Sequence, residues 1–355
     1  MFPTVSRARL ASSPGLTRRA GLGALVTVAL AACSRGSRPS SSSTPTPTVT
    51  DGPGYTRHAD LAYADPVGRA HLLDLYVPSG EGPFPVVIFQ AGSAFGSDDT
   101  KNLTTELSGA TTAEGLAGAW APHGYAVVGV NVRSSSQAVF PAQVHDIKAA
   151  IRFLRAQAGE YGLDTGRFAT MGTSSGGWGA VMAGVTAGNT DLEGDLGNPE
   201  VSSAVQAVVD LFGPTDFLQM DAHRIPGGQK HDPASSPESK LMGFAIRSDP
   251  EATGRANPAA YVTAQAPPIW IAHGTKDPLV PHHQSQILFA AYTDAKARAT
   301  FTLVHEAQHT DAYLGSPGDL SVTVHTSADG SVTRSDRPAP SFDVIRAFLD
   351  EALGR

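Results

Sequence analysis

The chain has 355 residues, 41% hydrophobic and 17% charged, a balance that suits one large or two ordinary globular domains with a buried core. Its formal net charge is −7, and residues 1–32 carry four Arg and no acid, so without them the remainder stands at −11. That acidity, with no basic stripe interleaved with aromatics, excludes a nucleic-acid partner, and the single cysteine excludes a disulfide framework or thiolate metal site within the chain.

The N-terminus reads as an address. Arg18 and Arg19 precede the uncharged apolar run Ala20–Ala32, which at 13 residues is too short to span a bilayer but matches the apolar region of a signal peptide. The run ends in Leu30-Ala31-Ala32-Cys33, which resembles the lipobox of bacterial lipoproteins. That resemblance implies cleavage before Cys33, lipid attachment to its thiol and a cell-surface location. Thr17-Arg18-Arg19 is similar to a twin-arginine export signal. Residues 33–54 are dominated by Ser, Thr and Pro and read as a disordered tether, with the folded domain at 55–355.

Strands are predicted at 71–77 and 86–89, and the near-continuous apolar run 125–132 reads as a strand covered on both faces. Val144, Ile147, Ile151 and Leu154 recur at helical spacing and mark one apolar face. A short strand at 168–171 leads into Gly172-Thr173-Ser174-Ser175-Gly176-Gly177, a G-x-S-x-G pattern between a strand and a helix. That setting projects Ser174 from a sharp turn as a nucleophile and supplies amide donors at a helix start. Further strands are predicted at 205–211, 268–272 and 300–304, and a last helix at 341–353. The polar, Pro- and Gly-rich stretch 219–256 breaks the rhythm and reads as a cap, while 321–334 reads as a surface hairpin. Strands alternating with helices imply a mostly parallel, doubly wound α/β sheet.

A serine hydroxyl needs a base, and the base an orienting acid. Asp277 stands in a turn after the 268–272 strand, and His309 in a loop after the next strand, in the order Ser, acid, His. His305 belongs to the strand end, where a packed or hydrogen-bonded role suits it, and His282 and His283 are placed at an exposed helix start. The oxyanion donors are expected to be the Ser175 amide and an amide from the loop Gln90–Gly96, at Gly92 or Ser93.

From Tyr55 onward the chain resembles α/β-hydrolases of the bacterial family that includes feruloyl-esterase-like and acetyl-esterase-like enzymes. The resemblance is carried by VFPAQVHDIKAAIRFLRAQAGEYGLDTGRFATMGTSSGG, DLFGPTDF, HDPASSPESKLMG and AHGTKDPLVP. It implies an α/β-hydrolase fold and a serine carboxylic-ester hydrolase that needs no cofactor or metal. Short acyl esters or acylated polysaccharides would be its substrates, and a lipid anchor its only contact with a membrane. Relatives read H-G-G-G or H-G-G-A where this chain has Gln90-Ala91-Gly92-Ser93, and carry Gly around the histidine where Gln308 and Thr310 stand here. The alternatives are a prolyl-peptidase-like serine peptidase, against which the absence of a propeller-like repeat before residue 55 argues, and a surface binding lipoprotein without catalysis.

Overall fold

Residues 46–65, 68–103 and 111–355 are described in the computed structural model of the chain. The signal-like segment, Cys33 and the tether as far as residue 45 lie outside them. Eleven strands form one mixed sheet. In chain order they are β1 (Thr48–Gly52), β2 (Tyr55–Ala62), β3 (Leu72–Pro78), β4 (Phe84–Gln90), β5 (Ala126–Val130), β6 (Leu163–Thr173), β7 (Ala207–Leu211), β8 (Ile269–Gly274), β9 (Ala299–Val304), β10 (Val322–Ala328) and β11 (Ser331–Ser335). The spatial order is β1-β2-β3-β5-β4-β6-β7-β8-β9-β10-β11. Strands β5-β4-β6-β7-β8-β9 run parallel, and the pairs at both ends are antiparallel.

Period-two alternation assigns each central residue to one of two cores. In β4, Val86 and Ile88 pack with Ile147, Ile151 and Leu288, whereas Val87 and Phe89 pack with Leu116, Trp120 and Leu349. Helices Ala142–Ala156, Ser175–Val185 and His283–Asp294 therefore cover one face, and Ala113–Trp120 and Phe342–Ala352 the other. Burial on both faces explains why these strands read as continuous apolar runs.

One sequence expectation changes. The folded chain begins before Tyr55, because Thr48–Gly52 pairs antiparallel with Tyr55–Ala62 across a tight turn at Pro53-Gly54. Its β-branched Thr48, Val49 and Thr50 suit an edge strand despite their exposure. The hairpin expected at 321–334 is present, β10 pairing antiparallel with β11 across Asp329-Gly330, and β10 also pairs with β9 from Val322↔Val304 to Ser327↔Ala299, which extends the sheet.

The stretch 219–256 folds into the short helical pieces Met220–His223, Pro237–Met242 and Pro250–Gly254. Phe217, Met220, Leu241, Met242 and Ile246 build a third core with Phe95 and Trp178. Trp178 Nε1 donates to the Ala256 carbonyl at 2.8 Å, tying the cap to the helix behind Ser174. This cap is packed structure that walls the site.

Candidate active site

The parallel strands deliver their carboxyl ends to one edge, the place where such sheets bind ligands. Ser174 follows β6 with φ 53° and ψ −125°, a conformation that L side chains rarely adopt. Surrounding contacts over-determine it. Ser174 N–H donates to the Leu211 carbonyl at 2.8 Å, and its own carbonyl accepts from Trp178 N–H at 3.1 Å. A Cβ on Gly176 would stand 2.0 Å from the Gln90 carbonyl oxygen, so only glycine lets the helix start sit against β4.

Asp277 and His309 meet as expected. His309 Nδ1 lies 2.6 Å from Asp277 Oδ2 and donates its proton there. The other carboxylate oxygen, Oδ1, accepts from the Leu279 and Val280 amides at 2.8 and 2.9 Å. A second imidazole, His273, reaches Oδ2 at 3.2 Å, and its Nε2 also donates to the Val280 carbonyl at 2.9 Å. Burial alone would raise the pKa of Asp277. Hydrogen bonds and charge from His273 and His309 outweigh it and hold the carboxyl well below the usual carboxylate range. The group stays ionised at any pH at which His309 could act as a base.

The imidazole is held from its other sides too. Phe212, itself at φ 48°, packs edge-on against His309 with ring centroids 4.6 Å apart. The loop carrying His309 crosses close over β8, where a Cβ on Gly274 would stand 2.3 Å from the Ala307 carbonyl. Lys276 N–H donates to that carbonyl at 2.9 Å, so the acid and base loops are laced together. Three residues before the histidine, Glu306 stands in the left-handed region at φ 61°. His305 donates to or accepts from Thr323 Oγ1 at 3.0 Å, the hydrogen-bonded role expected of it. His282 and His283 are half-buried rather than exposed, with His283 stacked on His223 at 4.6 Å.

In the oxyanion loop both expected amides meet side-chain hydroxyls. Gly92 N–H donates to Thr173 Oγ1 and Ser93 N–H to Ser175 Oγ, both at 2.9 Å. Each of these hydroxyl acceptors holds the loop to the elbow. The next amide, Ala94, has no acceptor among the described residues, and Ala94 stands at φ 50° on the wall of the cavity containing Ser174 and Ser175. Ser175 N–H, in the first turn of its helix, lacks an intrahelical acceptor. Gln90, where relatives carry His, is buried, with Oε1 2.5 Å from where a Cβ on Gly179 would stand. Its side chain packs against the helix that follows Ser174.

Ser174 and His309 line one narrow cavity of about 50 Å³ together with Phe95, Pro214, Gln229, His231, Glu238 and Val280. The sequence reading assigned no role to His231 or Glu238. Their only signal was an ionisable pair within HDPASSPESKLMG. Among the described residues no cluster of His, Cys, Asp and Glu suited to a metal occurs.

Asp210, at the end of β7, is 1% exposed. Burial lifts its carboxyl to about 7, against a hydrogen bond from Gly213 N–H that favours the charged form. Between its ordinary value of 3.8 and about 7 the folded chain holds a proton that the unfolded chain has lost, so stability falls as pH rises through that window. Asp210→Asn keeps the shape and the acceptor without the charge. Thermal melts are expected to show the variant more stable than wild type by roughly 2–4 kcal/mol at pH 8 and equal to it near pH 4. A pH-independent difference would contradict the assignment.

Comparison with known proteins gives a consistent picture. Residues 73–292 match the model of the family described as BD-FAE. Esterase LipQ of Mycobacterium tuberculosis is 29% identical over 246 residues, 67% of this chain and 53% of that protein. The chain thus spans about half the length of that curated relative. Among solved structures, a truncated carbohydrate esterase from gut microbiota is 30% identical, with TM-score 0.69, covering 87% of this chain and all of that one. A bifunctional GH43-CE protein of Bacteroides eggerthii is 34% identical, with TM-score 0.63, over 71% of this chain and 35% of that one.

Proposed function

The chain belongs to the BD-FAE family of α/β-hydrolase esterases, and from that premise we propose that it hydrolyses short-chain carboxylic esters through an acyl-enzyme on Ser174. The observation that carries the proposal is the His309–Asp277 pair, at 2.6 Å, whose imidazole lines the cavity that the strained Ser174 also lines. Ser174 Oγ attacks the ester carbonyl as His309 Nε2 takes its proton, and Asp277 fixes the tautomer that leaves Nε2 basic. The carbonyl oxygen becomes an oxyanion received by the amides of Ser175 and Ala94. When it collapses, the C–O bond to the alcohol breaks and His309 returns the proton to the departing oxygen. Water repeats the sequence on the acyl-enzyme, with His309 again as base, and releases the carboxylic acid and Ser174.

The narrow cavity supports a short acyl group. The likeness to a carbohydrate esterase supports an acylated carbohydrate over a peptide. The export signal and Cys33 support an enzyme lipid-anchored at a bacterial cell surface, its catalytic domain held out on the Ser/Thr/Pro tether.

One experiment on the full-length chain tests these parts together. The protein is expected in the membrane fraction, labelled by a fluorophosphonate, cleaving nitrophenyl acetate at least about tenfold faster than the hexanoate and faster than dipeptide anilides. Amide cleavage without ester turnover would replace the esterase reading with a peptidase. Absence of label and turnover would favour a binding protein. Recovery in the soluble fraction would remove the anchor.

A further inference from the structure

Two imidazoles reach the carboxylate of Asp277, and the mechanism above uses only that of His309. The other, His273, belongs to β8 and is 0% exposed. It continues the alternation of Ile269 and Ile271, so its ring lies on the face covered by the helix His283–Asp294. There Nδ1 lies 2.8 Å from Oγ of Ser285, in the first turn of that helix. Nε2 lies 2.9 Å from the Val280 carbonyl and 3.2 Å from Asp277 Oδ2. Both of these partners can only accept, so Nε2 carries the proton, and in the neutral ring Nδ1 accepts from the Ser285 hydroxyl.

A chain of hydrogen bonds therefore runs from Ser285 through His273 to Asp277 Oδ2, where it meets the proton of His309 Nδ1. Asp277 does not depend on this chain for its place, because Oδ1 accepts from the Leu279 and Val280 amides at 2.8 and 2.9 Å. What His273 adds falls on Oδ2, the oxygen that His309 uses. Two donors on one carboxylate oxygen share its charge, so each bond weakens the other. We propose that His273, held by Ser285, is a positioning residue whose bond to Oδ2 limits how strongly Asp277 draws a proton onto the His309 imidazole, leaving that imidazole free as a base at lower pH. This rests on the esterase reading and adds to it a residue that acts through Asp277. Other ionisable groups surround the pair: His231 and Glu238 across the cavity, His282 and His283 at the helix start, and the buried Asp311 and Tyr313 after His309. A change at His273 or Ser285 keeps all of these, so the difference from wild type reports the bond to Oδ2.

The test is the pH dependence of kcat/KM for nitrophenyl acetate, whose acid limb reports protonation of the base in the free enzyme. His273→Leu removes the donor and is expected to move that limb to higher pH by about half to one unit. Ser285→Ala leaves the ring but takes the hydroxyl from Nδ1, which makes Nε2–H a weaker donor, and should move the limb the same way by less. His273→Gln, whose amide nitrogen reaches about as far as Nε2, should return most of the wild-type profile. The proton shared by His309 and Asp277 gives a second signature, since its low-field NMR signal should move further downfield in His273→Leu. A merely structural role, bracing the helix on the strand, would lower kcat and the melting temperature with the acid limb and the NMR signal unmoved. That outcome overturns the inference and leaves the esterase reading standing. Where His273→Leu does not fold, the limb of Ser285→Ala decides in its place, and an unmoved limb there overturns the inference equally. If wild type turns over no nitrophenyl acetate, the esterase reading itself fails and takes this inference with it.

Discussion

Replacing Ser174 by alanine is expected to lower kcat/KM for nitrophenyl acetate by ~10⁴–10⁶-fold and to abolish fluorophosphonate labelling, while the protein remains folded. Loss of the oxygen removes the covalent route, and the residue that remains is set by the oxyanion amides and by substrate binding. The fold should tolerate the change because what holds the elbow is backbone: Ser174 N–H to Leu211, its carbonyl to Trp178, and the close approach of Gly176 to β4. Alanine at φ 53° carries the same strain as serine, of order 1–3 kcal/mol. Ser174→Gly relieves it and is expected to be more stable than Ser174→Ala by about 1 kcal/mol, less where glycine's unfolded-state freedom offsets the gain. Equal melting temperatures for wild type and the alanine variant, with activity gone, would isolate chemistry from folding. Retention of more than about 1% of wild-type kcat/KM would take the nucleophile's role away from Ser174.

This site divides by how local its causes are. Ser174, Asp277 and His309 were legible because each follows an apolar strand at a turn, and a parallel sheet brings successive carboxyl ends to one edge. The structure places Ser174 and His309 on one cavity and hydrogen-bonds Asp277 to the far side of the His309 imidazole. The amide donors were not legible in the same way. Gly92 and Ser93 are the small residues of the loop, yet the hydroxyls of Thr173 and Ser175, more than 80 positions away, accept from their N–H groups. No local pattern announces such a contact. His231 was hidden for the same reason, since its partner Glu238 and its neighbours Ser174 and His309 converge only after the cap packs on Phe95 and Trp178. In the sheet, the central strands were predicted within a few residues, as burial on both faces demands apolar runs. β1 was missed because an exposed edge strand is decided by pairing rather than composition, and β2 because it is only partly buried and carries no continuous apolar run.

Asp277→Asn is expected to cost ~10³–10⁴-fold in kcat with far less effect on KM, although the two side chains have the same shape. Hydrogen bonding dictates how the asparagine must sit. The Leu279 and Val280 amides both donate to Oδ1, so the variant's carbonyl oxygen has to remain there. Its NH₂ then faces His309 Nδ1, now 2.6 Å away, and His273 Nε2 at 3.2 Å. A donor against a donor drives His309 to the tautomer protonated on Nε2, and an imidazole already protonated there cannot take the proton of Ser174. Stability carries a second signature. A carboxyl held below its ordinary value of 3.8 stabilises the fold above that pH and loses the contribution as pH falls through the depressed value. Wild type should therefore be more stable than Asp277→Asn at pH 7, and the gap should narrow below about pH 4. Fluorophosphonate labelling by the variant should slow in step with kcat, because both need the same base. An asparagine variant labelled at the wild-type rate would mean that another group activates Ser174, and His309 would lose its assigned role.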